Sequence, residues 1–266
     1  MKKIITIIAA ITFIASLNTL AQVTQERSVS SFSGIHQSTS ADVYITYGEA
    51  NTVTVKADED VIDKLTTTVE KGILHIDTKG TIRNVKVMDV YITMKSIDFI
   101  KNSGSGNISC KGKLAGNDVK ISINGSGDLT AELDAKNMEI GISGSGDVEV
   151  SGVRGKFQLS VSGSGDVEAS ELQLEECGII IQGSGDVKLK GATASLTVKQ
   201  NGSGDINAYG LKAVDVVVHN SGSGDIVMQV VNSLTAILNG SGDITYHGSP
   251  EKVDVISNGS GEVYRK

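Results

Sequence analysis

Gly-Ser-Gly recurs nine times, with first glycines at Gly104, Gly125, Gly144, Gly163, Gly183, Gly202, Gly222, Gly240 and Gly259. The intervals are 21, 19, 19, 20, 19, 20, 18 and 19 residues. Self-similarity at a fixed period of this length is the signature of a repeat architecture, in which each unit folds against copies of itself. Of the 31 glycines, 18 lie in these triplets, so the glycine excess is a repeated structural device and not a flexible linker. The residue after each triplet is Asn107, then Asp128, Asp147, Asp166, Asp186, Asp205, Asp225 and Asp243, and finally Glu262. An aliphatic residue always follows, from Ile108 and Leu129 to Val263.

Between triplets the pattern has period two. Val148 and Val150 follow one triplet, Phe157, Leu159 and Val161 precede the next, and Ser151 to Gly155 form a variable turn between them. Val119, Ile121, Ile123 and Met138, Ile140, Ile142 repeat the alternation, which marks strands with one buried face. Two architectures fit strand, fixed turn, strand, variable turn. In an antiparallel meander, turns on one side lie about 9.5 Å apart, whereas in a parallel solenoid equivalent positions stack at about 4.8 Å. Only the solenoid gives neighbouring turns a physical reason to be identical. The expected fold is therefore all-β, a right-handed parallel β-helix with coils of 19–20 residues, its triplet glycines placed where a Cβ would clash or φ is positive.

Residues 1–21 read as an export signal: Lys2 and Lys3, an apolar run from Ile4 to Leu17, and small residues at Thr19 and Ala21. No Cys follows for lipid attachment, and the apolar run is shorter than a membrane span needs. Residues 22–100 lack the triplet but keep strand patterning, and Ser40-Ala41-Asp42-Val43-Tyr44-Ile45 reads as a decayed copy of the repeat. This part is expected to be an N-terminal cap or irregular coils continuous with the rod, with a separate small β domain as the alternative. Residues 101–266 are the regular repeats.

The leader, a Phe32-Ser33-Gly34-Ile35 start, the Asp42-Val43-Tyr44-Ile45 strand and the serial Gly-Ser-Gly-Asp-aliphatic repeats together resemble the bacterial family described as putative auto-transporter adhesin, head GIN domain. The resemblance runs from about Arg27 to Lys266. It implies a secreted or envelope β-solenoid and carries no catalytic residues. No further run of outward apolar alternation is present for a translocator barrel, so self-secretion is not expected.

The acidic register is the sharpest chemical candidate. Asp128, Asp147, Asp166, Asp186, Asp205, Asp225 and Asp243 resemble the carboxylates of calcium-binding nonapeptide solenoids, but the period is near 19 and each coil offers one carboxylate at this turn. The competing reading is a tight turn in which each Asp accepts backbone N–H groups. Like charges about 4.8 Å apart repel by roughly 1 kcal/mol in water, so compensation is needed. Nine equivalent serines are the opposite of one activated nucleophile. Glu149 and Glu168 fall on adjacent coils with Lys188 next, a solvated mixed-charge strip. His36, His75, His219 and His247 show no metal-ligand spacing.

Cys110 and Cys177 occupy inward positions three coils apart, too far for a disulfide, and are expected as free, buried thiols. Removing Lys2 and Lys3 leaves 22 basic against 31 acidic side chains, which argues against nucleic-acid binding. No Trp and few aromatic residues argue against a glycan-active enzyme site. The sequence thus points to an exported, non-enzymatic structural or adhesive module of the periplasm, cell surface or medium, needing no cofactor. The sequence names no partner; a surface glycan or protein is the class left open, with no nucleic acid and no membrane span once the leader is removed. The alternatives are a calcium-binding solenoid and a glycan-active β-helix enzyme.

Overall fold

The computed structural model describes residues 22–266, so the leader expected at 1–21 lies outside the described residues. Strands account for all its regular structure. Eight short strands come first: β1 (Gln22–Arg27), β2 (Gly34–Gln37), β3 (Asp42–Tyr47), β4 (Thr52–Asp58), β5 (Leu65–Glu70), β6 (Ile73–Thr78), β7 (Met88–Met94) and β8 (Phe99–Asn102). Seven long ones follow: β9 (Ile108–Ile123), β10 (Leu129–Ile142), β11 (Val148–Val161), β12 (Val167–Ile181), β13 (Val187–Gln200), β14 (Ile206–Asn220) and β15 (Ile226–Leu238). β16 (Ile244–Gly248), β17 (Lys252–Ser257) and β18 (Val263–Arg265) close the chain. From β9 to β15 each long strand pairs in parallel with the next, and the register advances by one repeat, as in Leu129 with Val148 and Val148 with Val167. The molecule is a parallel β-solenoid.

One expectation needs correction. The variable segment is not a turn between two strands, because a single strand of 13–16 residues runs through it in each regular coil. The backbone takes positive φ there at Gly152 (84°), Gly191 (143°) and Glu171 (53°), and the ladder slips, by one residue between Val153 and Lys156 and by three between Ala208 and Lys212. Adjacent coils bend together, so the interstrand hydrogen bonds continue past the corner instead of ending at it.

The alternating pattern puts one row of each strand inside. Ile108, Leu129, Val148, Val167, Val187, Ile206, Ile226 and Ile244 form one such row, each no more than 2% exposed. One cluster of buried apolar side chains extends from Phe32 to Ile244. Just before the triplet, buried amides replace the aliphatic side chain in several coils. Asn102 accepts the Gly104 N–H at 3.1 Å and donates to the Gly106 carbonyl at 2.9 Å, and Asn220 repeats this with Gly222 and Gly224.

The triplet glycines are required by contact, not by φ. None has a positive φ, but a Cβ on Gly165 would lie 2.1 Å from the Gly146 carbonyl oxygen, and one on Gly163 would lie 1.9 Å from that of Gly144. Along the serines it is the backbone that stacks: Ser164 N–H donates to the Gly144 carbonyl at 3.1 Å. Among the described residues, a hydrogen bond between triplet hydroxyls joins only Ser241 to Ser223.

In the N-terminal part, β2 pairs with β8 and β3 with β9, both in parallel. Thr39-Ser40-Ala41 stands where a triplet would, because the Thr39 and Ala41 carbonyls lie under Gly104 and Gly106. β4 runs antiparallel to β1 and β7, and β5 antiparallel to β6. Val61 and Ile62, in the turn after β4, and Leu65, the first residue of β5, are buried and belong to the same core.

Cys110 and Cys177 are free and buried, aligned with Ala131 and with Phe157 as their spacing implied. Burial pushes both thiols up to about 12. Thiol titration should find two reactive groups in the denatured, unreduced protein and very slow labelling of the native protein at pH 8. An intramolecular bridge seen by mass spectrometry would contradict the register. Gly165→Val should cost more than about 3 kcal/mol in denaturant unfolding. Arg154→Ala, which removes an exposed ion pair with Asp134, should cost less than about 1 kcal/mol.

Candidate functional site

From β10 to β16 the acidic residue stands immediately before the first residue of the strand, and its side chain reaches the backbone of the next coil. Asp128 Oδ1 accepts the Asp147 N–H at 2.9 Å, Asp147 accepts that of Asp166 at 2.8 Å, and Asp166 that of Asp186 at 2.8 Å. The chain of contacts continues through Asp205, Asp225 and Asp243 to the Glu262 N–H. It begins in the irregular part, where Asp42 Oδ1 accepts the Asn107 N–H and Asn107 Oδ1 accepts that of Asp128. One methylene gives the reach, so Asp and Asn serve equally at this position. All seven acids singled out from the sequence therefore stand in one row, each with one oxygen engaged by the backbone.

This row borders a groove of about 730 Å³. Its lining runs from Asp128 and Thr130 through Glu149, Glu168 and Lys188 to Asn207, Asp225 and Val227. Glu149 and Glu168 are register partners, as expected. Lys190 and Lys188 reach the Glu168 carboxylate at 2.6 and 3.2 Å, and their hydrogen bonds hold it below the usual carboxylate range. The mixed-charge strip is thus in place. Among the described residues no three His, Cys, Asp or Glu side chains converge as a metal-binding group. The triplet serines are exposed along the same edge.

Two associations escaped the sequence reading. His36 and His75 are register partners with ring centroids 5.4 Å apart, and burial, then Lys101 and His75, hold His36 below its ordinary range. His219 and His247 lie elsewhere, His247 against Tyr209 at 4.6 Å. Tyr44 and Tyr91 stack with centroids 5.2 Å apart and planes 18° from parallel. Register places them in the outward row Tyr91, Tyr44, Ser109, Thr130, Glu149, Glu168, which lines the groove from Thr130 onward. Partial burial and the Asp42 and Asp89 carboxylates push the Tyr44 phenol upward, so it stays a proton donor. The signal was available in Asp-Val-Tyr-Ile-Thr, which occurs at both 42–46 and 89–93.

A solenoid whose exposed edge is a repeated hydroxyl and carboxylate array defines a repeat-surface protein, with its chemistry spread along the stack. The chain belongs to the family described as putative auto-transporter adhesin, head GIN domain, whose model matches residues 31–189 and 178–250. Among solved structures, a putative lipid binding protein from Parabacteroides distasonis ATCC 8503 is 24% identical, with a TM-score of 0.66 over 92% of this chain and 96% of that one. A putative adhesin from the same organism is 20% identical, with a TM-score of 0.63 over 92% and 97%. One from Bacteroides fragilis NCTC 9343 is 21% identical, with a TM-score of 0.51 over the same shares. At these identities the likeness is one of fold. No curated protein matches the chain. No described helix is long and apolar enough to cross a membrane.

The ladder geometry separates hydrogen bond from charge. Asp166→Asn should leave the melting temperature unchanged or slightly raised, since the amide oxygen still accepts the Asp186 N–H and carboxylate repulsion falls. Asp166→Ala should cost about 1 kcal/mol in denaturant unfolding.

Proposed function

We propose that the protein is an exported, non-enzymatic module of the cell envelope or surface that binds partners along the carboxylate edge of its solenoid. The family's adhesin description supports the adhesive part of this reading. The observation that carries it is the periodicity of the edge: the same residues recur in coil after coil, which suits holding an extended partner by many weak contacts. Catalysis instead needs one acid, base or nucleophile set apart from its neighbours, and a row of equivalent groups supplies none.

Calcium is not needed for this fold on the same reading, because the ladder's engaged oxygens take backbone N–H donors. Residues 22–266, immobilised and probed with surface glycans and proteins, should retain a ligand unaltered in calcium and in chelator alike. The melting temperature should be the same in both. Breakdown of the retained ligand would support an enzyme instead. A large rise in melting temperature with millimolar calcium, reversed by chelator, would support the calcium-binding alternative.

A further inference from the structure

The two ends of the solenoid are unlike. At the N-terminal end the outermost strands are β1, laid antiparallel on β4, and β5, laid antiparallel on β6. Their sequences, Gln-Val-Thr-Gln-Glu-Arg and Leu-Thr-Thr-Thr-Val-Glu, are largely polar, and Val61, Ile62 and Leu65 beside them are at most 3% exposed. This end is covered.

The C-terminal end is open. Among the described residues β17 is paired on one side, with β15, and β18 on one side, with β16, so each leaves a row of N–H and C=O groups pointing out along the rod. The inward row runs out uncovered as well. Leu234 and Ala236 are 0% exposed, yet their register partners in the last coil, Val253 and Val255, are 39% and 44% exposed. On the outer face Ile256, the register partner of Ile237, is 56% exposed.

An open strand edge is completed by another strand, which supplies both the missing hydrogen bonds and an apolar cover. The N-terminal end of another copy fits badly, because its apolar residues are already covered and its edge strands present Thr, Gln and Glu. The same end of a second copy fits. Two identical strands meeting about a two-fold axis run antiparallel, and the contact closes at two copies instead of growing. The charges of β17 also select a register. Lys252 reaches Asp254 of its own strand at 2.9 Å, so both lie on the outer face. With Val253 on the axis, Lys252 of each copy stands opposite Asp254 of the other, and the two Val253 side chains meet on the inner face. Moving the axis to Asp254 would set that carboxylate against its own copy.

We propose that two copies join end to end through the C-terminal coil, β17 pairing antiparallel with its own copy about Val253 and covering the inward row. The dimer goes beyond the adhesive reading and does not depend on what the carboxylate edge binds.

Sedimentation equilibrium of residues 22–266 from about 1 μM to 1 mM should show monomer and dimer with no larger species. Asp254→Lys and Lys252→Asp, each counted twice across the axis, should each weaken the dimer roughly tenfold or more, and the double swap should restore it. Both side chains are exposed, so the variant monomers should melt near the temperature of the parent monomer. Val253→Cys should give a disulfide-linked dimer on mild oxidation, since paired strands hold opposite residues within reach of an S–S bond. Thr68→Cys, on the outer strand of the other end, should not, and the native thiols are buried. A monomer across the whole range overturns the proposal. So does a dimer indifferent to both single charge changes, one that the double swap fails to restore, or one that Val253→Cys links no faster than Thr68→Cys. Species that keep growing with concentration overturn it too, in favour of head-to-tail stacking.

Discussion

The coils approach each other so closely at one edge that a side-chain carbon cannot be present there. Each triplet glycine lies over a carbonyl of the coil before it, and the separation a Cβ would have, 1.9 to 2.4 Å from Gly125 through Gly261, is far inside van der Waals contact. Everything regular in the structure follows from keeping that approach the same at each step. It fixes the axial spacing, aligns the aliphatic rows, and brings each Asp within one methylene of the next coil's N–H. The first coil shows the rule by exception. Thr39 and Ala41 keep their Cβ atoms while lending their carbonyls to Gly104 and Gly106 above.

The same constraint separates what the edge must be from what it is free to be. Glycine is forced by sterics, and an oxygen acceptor is forced by the unpaired N–H at the strand start. Serine and the negative charge are not forced, since most triplet hydroxyls are joined to no neighbouring triplet hydroxyl and Asn107 performs the acceptor role uncharged. Features that the fold does not demand, repeated along a groove, are where a surface protein can carry recognition.

Much of this was legible in the sequence because the repeat makes structure and spacing equivalent. Cys110 and Cys177 fell at the inward positions that register assigned them, and Asp42 proved to be the first member of the ladder. Legibility failed where stacking order departs from chain order. β2 lies between β6 and β8, and β3 between β7 and β9, so Tyr44 meets Tyr91 and His36 meets His75 across insertions that no constant period describes. It failed again at Asn102 and Asn220, polar residues in an apolar register, whose partners are the triplet's own backbone groups. The variable segment misled for a different reason: glycine-rich composition looks like a turn, yet a parallel ladder can carry a bend without breaking.

The stacking order also sets how the molecule would answer a pull. Each of β10 to β14 is hydrogen-bonded only to the strands of the coils on either side of it, and those bonds lie along the stack. Tension applied along that direction therefore loads one intercoil seam at a time instead of shearing many together. Each seam that opens releases about 19 residues, or roughly 65 Å of extended chain. A stack built this way yields in steps, lengthening under load while the coils behind the open seam stay folded.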